Sequence, residues 1–377
     1  MEGQETTFYQ ELQNCKTLDQ RDNRGKRHNL AFILLGLTLG LLRKRDGQLS
    51  SIHRSMKNTN DTLCVFLSIE NQGVISRSQL PVVLKSVCLT SFETLLFNSY
   101  GIELNPKEKT WFAGDGKELR GSIEKGDKRG DAIVQLVRHK DRNVLSQSFY
   151  NGKKESEKPC LRDLIKDSGA AHQKITADAL HLCPKTTELI AEGGGIFLIG
   201  LKDNQRKLLA NVKGSMSLLK PVNQLVTTEK GHGRVETRTY YQYDISGEYF
   251  DKRWHKTKFK SVFKVVRCRY DTATKKETIE TSYYISNGKT TVGDHSFFHA
   301  IREHWSVEVV NHIRDVTLKE DNLTTKKKEV TKVLAGLRTL VIKLLGIKKP
   351  PNLIAQLEYF QDNFSKLLEW LRAVKFL

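Results

Sequence analysis

KTWFAGDGKELRGS, residues 109–122, is where the chain turns from a helical to a strand-like texture. TWFAGDG reads as a strand closed by a turn. Downstream, AIVQLVR (132–138) and NVLSQSF (143–149) read as a hairpin around Asp141-Arg142. CLRDLIKDSG (160–169) has helical spacing and stops on Gly169. QKITADAL (173–180) is a strand that ends in polar residues, and residues 186–192 make a short helix. GIFLIGLK (195–202) is a continuous apolar run, as expected of a strand covered on both faces. The order strand, strand, strand, helix, strand, helix, strand predicts an α/β unit with a mixed sheet.

The rhythm changes on either side. Between residues 216 and 290, RVETRTYYQYDI, SVFKVVRCRYDT and KETIETSYYIS predict an inserted antiparallel β element. Upstream, helices are expected at 30–42, 48–57 and 91–100, and another up to about residue 87, opened by the capping-box spacing of Ser76 and Gln79. Such short helices fit a DNA-binding module or an all-helical packing domain equally well. Helix returns at about residue 293, and 330–345 and 353–376 are amphipathic on either side of Pro350-Pro351. The expected division is 1–105, helical; 106–215, the α/β unit; 216–290, the insertion; 291–325, the helix after it; and 326–377, a C-terminal helical region.

The 377 residues include 62 Lys and Arg against 43 Asp and Glu, a formal charge of +19. That field favours a polyanionic partner and argues against an ordinary metabolic enzyme. The six cysteines form no CxxC pair, which speaks against a cysteine zinc site and fits a reducing, cytoplasmic compartment. The most apolar run, residues 30–42, reaches about 20 Å as a helix, short of a bilayer core of about 30 Å. It is expected to be a buried core helix, with no membrane partner.

Two acids stand where the strand pattern exposes them. Asp115 follows the first strand of the α/β unit and Asp178 ends the fourth, so neighbouring strands would bring the carboxylates together. On HSFFHAIREHWSVEVVNHIRDV (295–316), Phe298, Ile301, Trp305, Val309 and Ile313 form an apolar stripe at helical spacing. His304, Glu308 and His312 share an adjacent face, which places Glu308 at the edge of the stripe, aimed at the sheet. Three carboxylates suit hard cations, and two Mg²⁺ ions about 3.5–4 Å apart can serve both the attacking and the leaving oxygen of a phosphodiester. The His304, Glu308 and His312 face also carries zinc donors, without the HExxH order.

Five ordered segments then become recognisable: DGKELRGS (115–122), ITADALH (175–181), LKDNQRKLL (201–209), HGRVETR (232–238) and REHWSVE (302–308). Together they resemble the insertion-sequence DDE transposases of the ISAs type, the H-repeat-associated family. LDQRDNRGKRHNLAFILL (18–35), RDVTLKED (314–321) and VLAGLRTLVIKLL (333–345) extend the resemblance over about residues 18–345. The resemblance implies a ribonuclease H-like mixed sheet with a β-rich insertion, flanked by N- and C-terminal helical regions. It implies Asp115, Asp178 and Glu308 as a triad holding two Mg²⁺ ions, with Mn²⁺ as a substitute. The implied partners are double-stranded element ends and target DNA, bound by a homodimer or larger synapse in a nucleoid-associated setting, with the N-terminal region reading the ends. Past the glutamate the family continues with Asn and a Leu-His-Trp stretch. Here Val309, Val310, Asn311, His312 and Ile313 follow, keeping His312 alone. Ile301, His304 and Asp315 stand where the wider class carries Tyr, Arg and Lys. A transposase-derived DNA-binding protein without catalysis is the competing reading.

Candidate DNA contacts complete the set. Lys117 and Arg120 follow Asp115, while Lys202 and Gln205 close the buried strand; each pair is expected near the scissile phosphate or on a solvated turn. Arg234 and Arg238 alternate along a strand with Glu236 between them, facing either DNA or a cross-strand ion pair. DKRWHKTKFK (251–260) sets Trp254 among basic residues including Lys256, a pattern for stacking an unpaired base or a merely solvated loop. Arg302, His304 and His312 are added from the helix of Glu308.

Overall fold

Residues 30–41 are buried almost without a break, because helices from both ends of the chain pack around them. The computed structural model describes residues 6–43, 46–71, 73–124, 126–325 and 327–377, the side chains of Lys154 and Glu155 excepted. The N-terminal helices are α1 (Phe8–Asn14), α2 (Leu30–Leu41), α3 (Leu49–Leu67), α4 (Leu80–Leu84) and α5 (Leu89–Ser99). Gly36 and Gly40 let α3 close on α2: a Cβ at Gly40 would lie 2.6 Å from Ile52. Ser76 Oγ accepts a hydrogen bond from the Gln79 amide at 3.3 Å, but it caps a turn; the helix begins later, at Leu80. Among the described residues no helix is long and apolar enough to cross a membrane.

The α/β unit comprises β1 (Trp111–Glu118), β2 (Ala132–Arg138), β3 (Val144–Tyr150), α6 (Lys154–Asp167), β4 (Lys174–Ala177), α7 (Pro184–Glu192), β5 (Ile196–Leu201) and α8 (Arg206–Leu218). The β-rich stretch follows as β6 (Asn223–Gly231), β7 (Arg234–Asp244), β8 (Ser261–Asp271) and β9 (Glu277–Ser286). Next come α9 (Ser296–Glu303), α10 (Trp305–His312), α11 (Lys328–Lys348), α12 (Leu353–Asp362) and α13 (Phe364–Ala373). The result is a mixed α/β architecture.

Among the described residues the strands form one nine-stranded sheet in the order β3-β2-β1-β4-β5-β9-β8-β7-β6. β1 runs antiparallel to β2 and parallel to β4, and β4 runs parallel to β5. The rest is antiparallel: β9 pairs with β5, so the inserted meander prolongs the same sheet. Cross-strand charges hold its outer half, where Arg267 lies opposite Glu280 and bonds it.

Two layers cover the sheet. α6, α7 and α8 pack on one face around Leu161, Ile165, Ile190, Leu208 and Val212. On the other face, helices from both ends of the chain share one core with Ala113, Val137 and Val144. α11 runs through it, and α1 is tied to the C-terminus by hydrogen bonds from the Phe8 and Tyr9 amides to the Lys375 and Phe376 carbonyls. Buried Arg314 fastens the turn after α10 to α11 through Glu320, the Ala335 carbonyl and Thr339.

Candidate active site

Asp115 lies inside β1, since the strand runs on to Glu118 instead of turning at residue 115. Asp178 directly follows β4, as expected. The parallel register pairs Ala113 with Thr176 and Gly114 with Ala177, so the next residues, Asp115 and Asp178, stand side by side on one face. Burial raises the Asp115 carboxyl to about 7, helped by the charges of Asp178 and Glu157 and opposed by the Gly116 amide and His181. Asp178 is about half exposed, and its Oδ1 accepts from the Leu180 amide at 2.9 Å, which fixes the turn behind it. The KDNQ segment braces that turn: Asn204 donates to the Ala179 carbonyl at 2.6 Å and Gln205 to the Leu182 carbonyl at 2.8 Å.

A third acid near this pair went unnoticed in the sequence. Glu157, on α6, is buried and accepts from the Tyr150 hydroxyl at 2.9 Å. His181 Nε2 lies 3.2 Å from Glu157 and 3.9 Å from Asp178, bridging the two carboxylates. Gly116 is required beneath them, because a Cβ there would lie 2.6 Å from the Tyr150 hydroxyl oxygen and 2.7 Å from the Glu157 carboxyl carbon. The signal for His181 was its place three residues after Asp178; KKESEKPC gives none for Glu157.

Glu308 is not gathered with the pair. The expected continuous helix breaks at His304, between α9 and α10. His304 Nδ1 and His139 Nε2 each lie 2.9 Å from Thr176 Oγ1, docking the break onto β4. Burial depresses His304 to about 4 and His139 to about 3, so both rings are neutral at physiological pH. Beyond the break the buried positions of α10 are Ser306, Val307 and Val310, leaving Glu308 and Trp305 exposed. Partial burial still raises the Glu308 carboxyl, against the opposing charge of Arg302. Among the described residues no three His, Cys, Asp or Glu stand close enough to hold a metal ion, so His304, Glu308 and His312 form no zinc site. Asp115 and Asp178 alone still suit a hard cation: Mg²⁺ takes one or two carboxylates with water and phosphate oxygens. A cation there would also relieve the repulsion that raises Asp115.

The proposed DNA contacts divide. Arg120, Lys202, Lys256 and His312 are exposed, and Arg302 is partly so. Lys117 is withdrawn from solvent by Asp315 at 2.8 Å, Asp321 at 3.3 Å and Glu320 at 3.5 Å. Gln205 is engaged by Leu182 and by Arg253. Arg238 bonds buried Glu236 and also Glu229, while Arg234 approaches Glu236 at 3.8 Å, so this segment forms the cross-strand ion network. His304 is turned inward. Trp254 corrects the stacking expectation: it is 2 % exposed, because the turn at Lys252–Thr257 sends it into a cluster with Phe250 and Phe259.

No protein-family model matches the chain. It is 29% identical over 245 residues to "Putative protein YbfL" of Escherichia coli K12, covering 63% of this chain and 64% of that protein. It is 25% identical over 245 residues to "Putative transposase YncI" of Escherichia coli O157:H7, covering 61% and 60%. Over 228 residues it is 24% identical to "H repeat-associated putative transposase YbfD" of Escherichia coli K12, covering 59% and 89%. The chain thus spans less than two thirds of the length of the first two of these relatives.

Proposed function

We propose that this chain is a DDE-type DNA transposase that cleaves phosphodiester bonds at the ends of its element and joins those ends to target DNA. The observation that carries the reading is the pairing of Asp115 with Asp178 across adjacent parallel strands, in a chain of charge +19. The mixed order β3-β2-β1-β4-β5 supports a ribonuclease H-like core, and the names of the distant relatives support a transposase.

Asp115 and Asp178 would hold the divalent ions, and Glu308 would complete the set when DNA is bound, with α10 turning about His304. Bound Mg²⁺, or Mn²⁺ in its place, supplies charge stabilisation at phosphorus and an activated oxygen nucleophile. Glu157 and His181 hold the pair from behind, while Arg120, Lys202 and Lys256 meet the backbone of the DNA. Handling two ends together calls for a dimer or larger synapse, with the helices of residues 1–105 reading the end sequence.

Incubation with Mg²⁺ and a duplex carrying the DNA that flanks the gene tests this. Cleavage at the end sequence, lost in Asp115→Asn, Asp178→Asn and Glu308→Gln while duplex binding persists, is the expected result. The separation of Glu308 from the pair favours a second reading, a DNA-binding protein that has lost catalysis; it predicts end binding with no Mg²⁺-dependent cleavage.

A further inference from the structure

Trp305 opens α10 and is 52 % exposed, although helical spacing assigned it to the core. It lines an open cleft of about 530 Å³, whose opposite wall is the turn between β2 and β3, with Lys140 and Arg142. The Arg302 guanidinium lies 5.5 Å from the centre of the indole. Two of the acids nearby are paired: Asp141 accepts from Arg138 at 2.9 and 2.6 Å, and Glu229 meets Arg302 at 3.4 Å on the rim. Glu303, 3.6 Å from the neutral ring of His139, keeps its charge on the cleft wall, where Lys140, Arg142 and Arg302 outnumber it. Lys140 and Arg142 are exposed. The cleft therefore offers an aromatic face edged by cations.

Its position relates it to the paired acids. His139 and His304 share Thr176, so the cleft opens on the sheet face that carries Asp115 and Asp178. The register sets Phe112 opposite Arg138, which brings the turn level with Trp111, four residues before Asp115. At about 3.3 Å per strand residue that is about 13 Å, or roughly four steps of one DNA strand at about 3.4 Å each.

We propose that this cleft binds an unpaired nucleotide of the strand that runs to Asp115 and Asp178, its base stacked on Trp305 and its phosphates on Lys140, Arg142 and Arg302. The proposal rests on the DNA reading above. A base inside a duplex is already stacked on both sides, so the indole beside Arg302 can take only an unstacked one. Stacking of this kind tolerates any base.

Affinities for an oligothymidylate of about eight nucleotides and for a short blunt duplex are measured on wild type, Trp305→Ala and Trp305→Phe, with melting temperatures alongside. Trp305→Ala is expected to weaken oligothymidylate binding about 5- to 150-fold. Trp305→Phe should stay within a few-fold of wild type, with duplex affinity and melting temperature nearly unchanged. Unaltered oligothymidylate binding by Trp305→Ala overturns the proposal, as does an equal loss in Trp305→Phe, or a loss on both probes with a lowered melting temperature. Wild type that binds neither probe overturns the DNA reading itself, whereas wild type that binds DNA without using Trp305 overturns only the cleft.

Discussion

Replacing Asp115 by Asn should stabilise the protein, and more so at alkaline pH. The folded carboxyl is raised to about 7 by burial and by the charges of Asp178 and Glu157. An unfolded aspartate titrates near 3.9. Between those values the folded state holds a proton that the unfolded state has released, so stability falls as pH rises and levels off above 7. The full span of about 3 pH units corresponds to about 4 kcal/mol at 1.36 kcal/mol per unit. Asn carries no such dependence. Its advantage should be about 1.5 kcal/mol at pH 5 and about 4 kcal/mol at pH 8. With about 2.1 cal/mol/K of unfolding entropy per residue, 1 kcal/mol moves the melting temperature of this chain by about 1.3 °C. Thermal melts at the two pH values should therefore show the Asn advantage growing by roughly 3 °C. Mg²⁺ should raise the wild-type melting temperature at pH 8 and raise that of the variant less. A variant less stable than wild type, or an advantage equal at both pH values, would refute an Asp115 carboxyl raised by burial and its acidic neighbours.

Trp254→Ala should cost about 3–5 kcal/mol of stability, because it empties a buried aromatic site, with DNA affinity per folded molecule unchanged; a stable variant with weakened DNA binding would restore the stacking role. Glu157→Gln removes a charge that raises Asp115, so the pH midpoint of Mn²⁺ binding should fall below that of wild type. An upward shift in a titration calorimeter would show that Glu157 acts as a ligand rather than from behind.

The paired acids were legible because their placement follows from local facts: apolar strands of recognisable length, each ending in polar residues. Asp115 was placed after its strand because Asp-Gly usually marks a turn, yet Gly116 serves the packing of Tyr150 and Glu157 against β1. The break at His304 was hidden, since REHWSVE contains neither Pro nor Gly, and the hydroxyl of Thr176 that holds the His304 ring there is distant in the chain. Past the break a different face of the helix is buried, at Ser306, Val307 and Val310, which leaves Trp305 and Glu308 exposed. The union of β9 with β5 was equally hidden, because a strand of alternating polarity does not announce its partner. Trp254 misled because basic neighbours mark the surface of the segment, not the direction of one ring. Lys117 was open to phosphate contact or a solvated turn, and the acid that engages it, Asp315, lies far along the chain; Arg238 takes the ion-pair alternative, with Glu229 on the neighbouring strand.

The most direct measurement is anomalous diffraction from Mn²⁺ in crystals of the chain with a duplex carrying its flanking DNA. Mn²⁺ should be bound by both Asp115 and Asp178, with the Glu308 carboxylate brought into the same site. Mn²⁺ bound elsewhere, or seated on the aspartates with Glu308 still turned to solvent in a complex that cleaves DNA, would contradict this assignment.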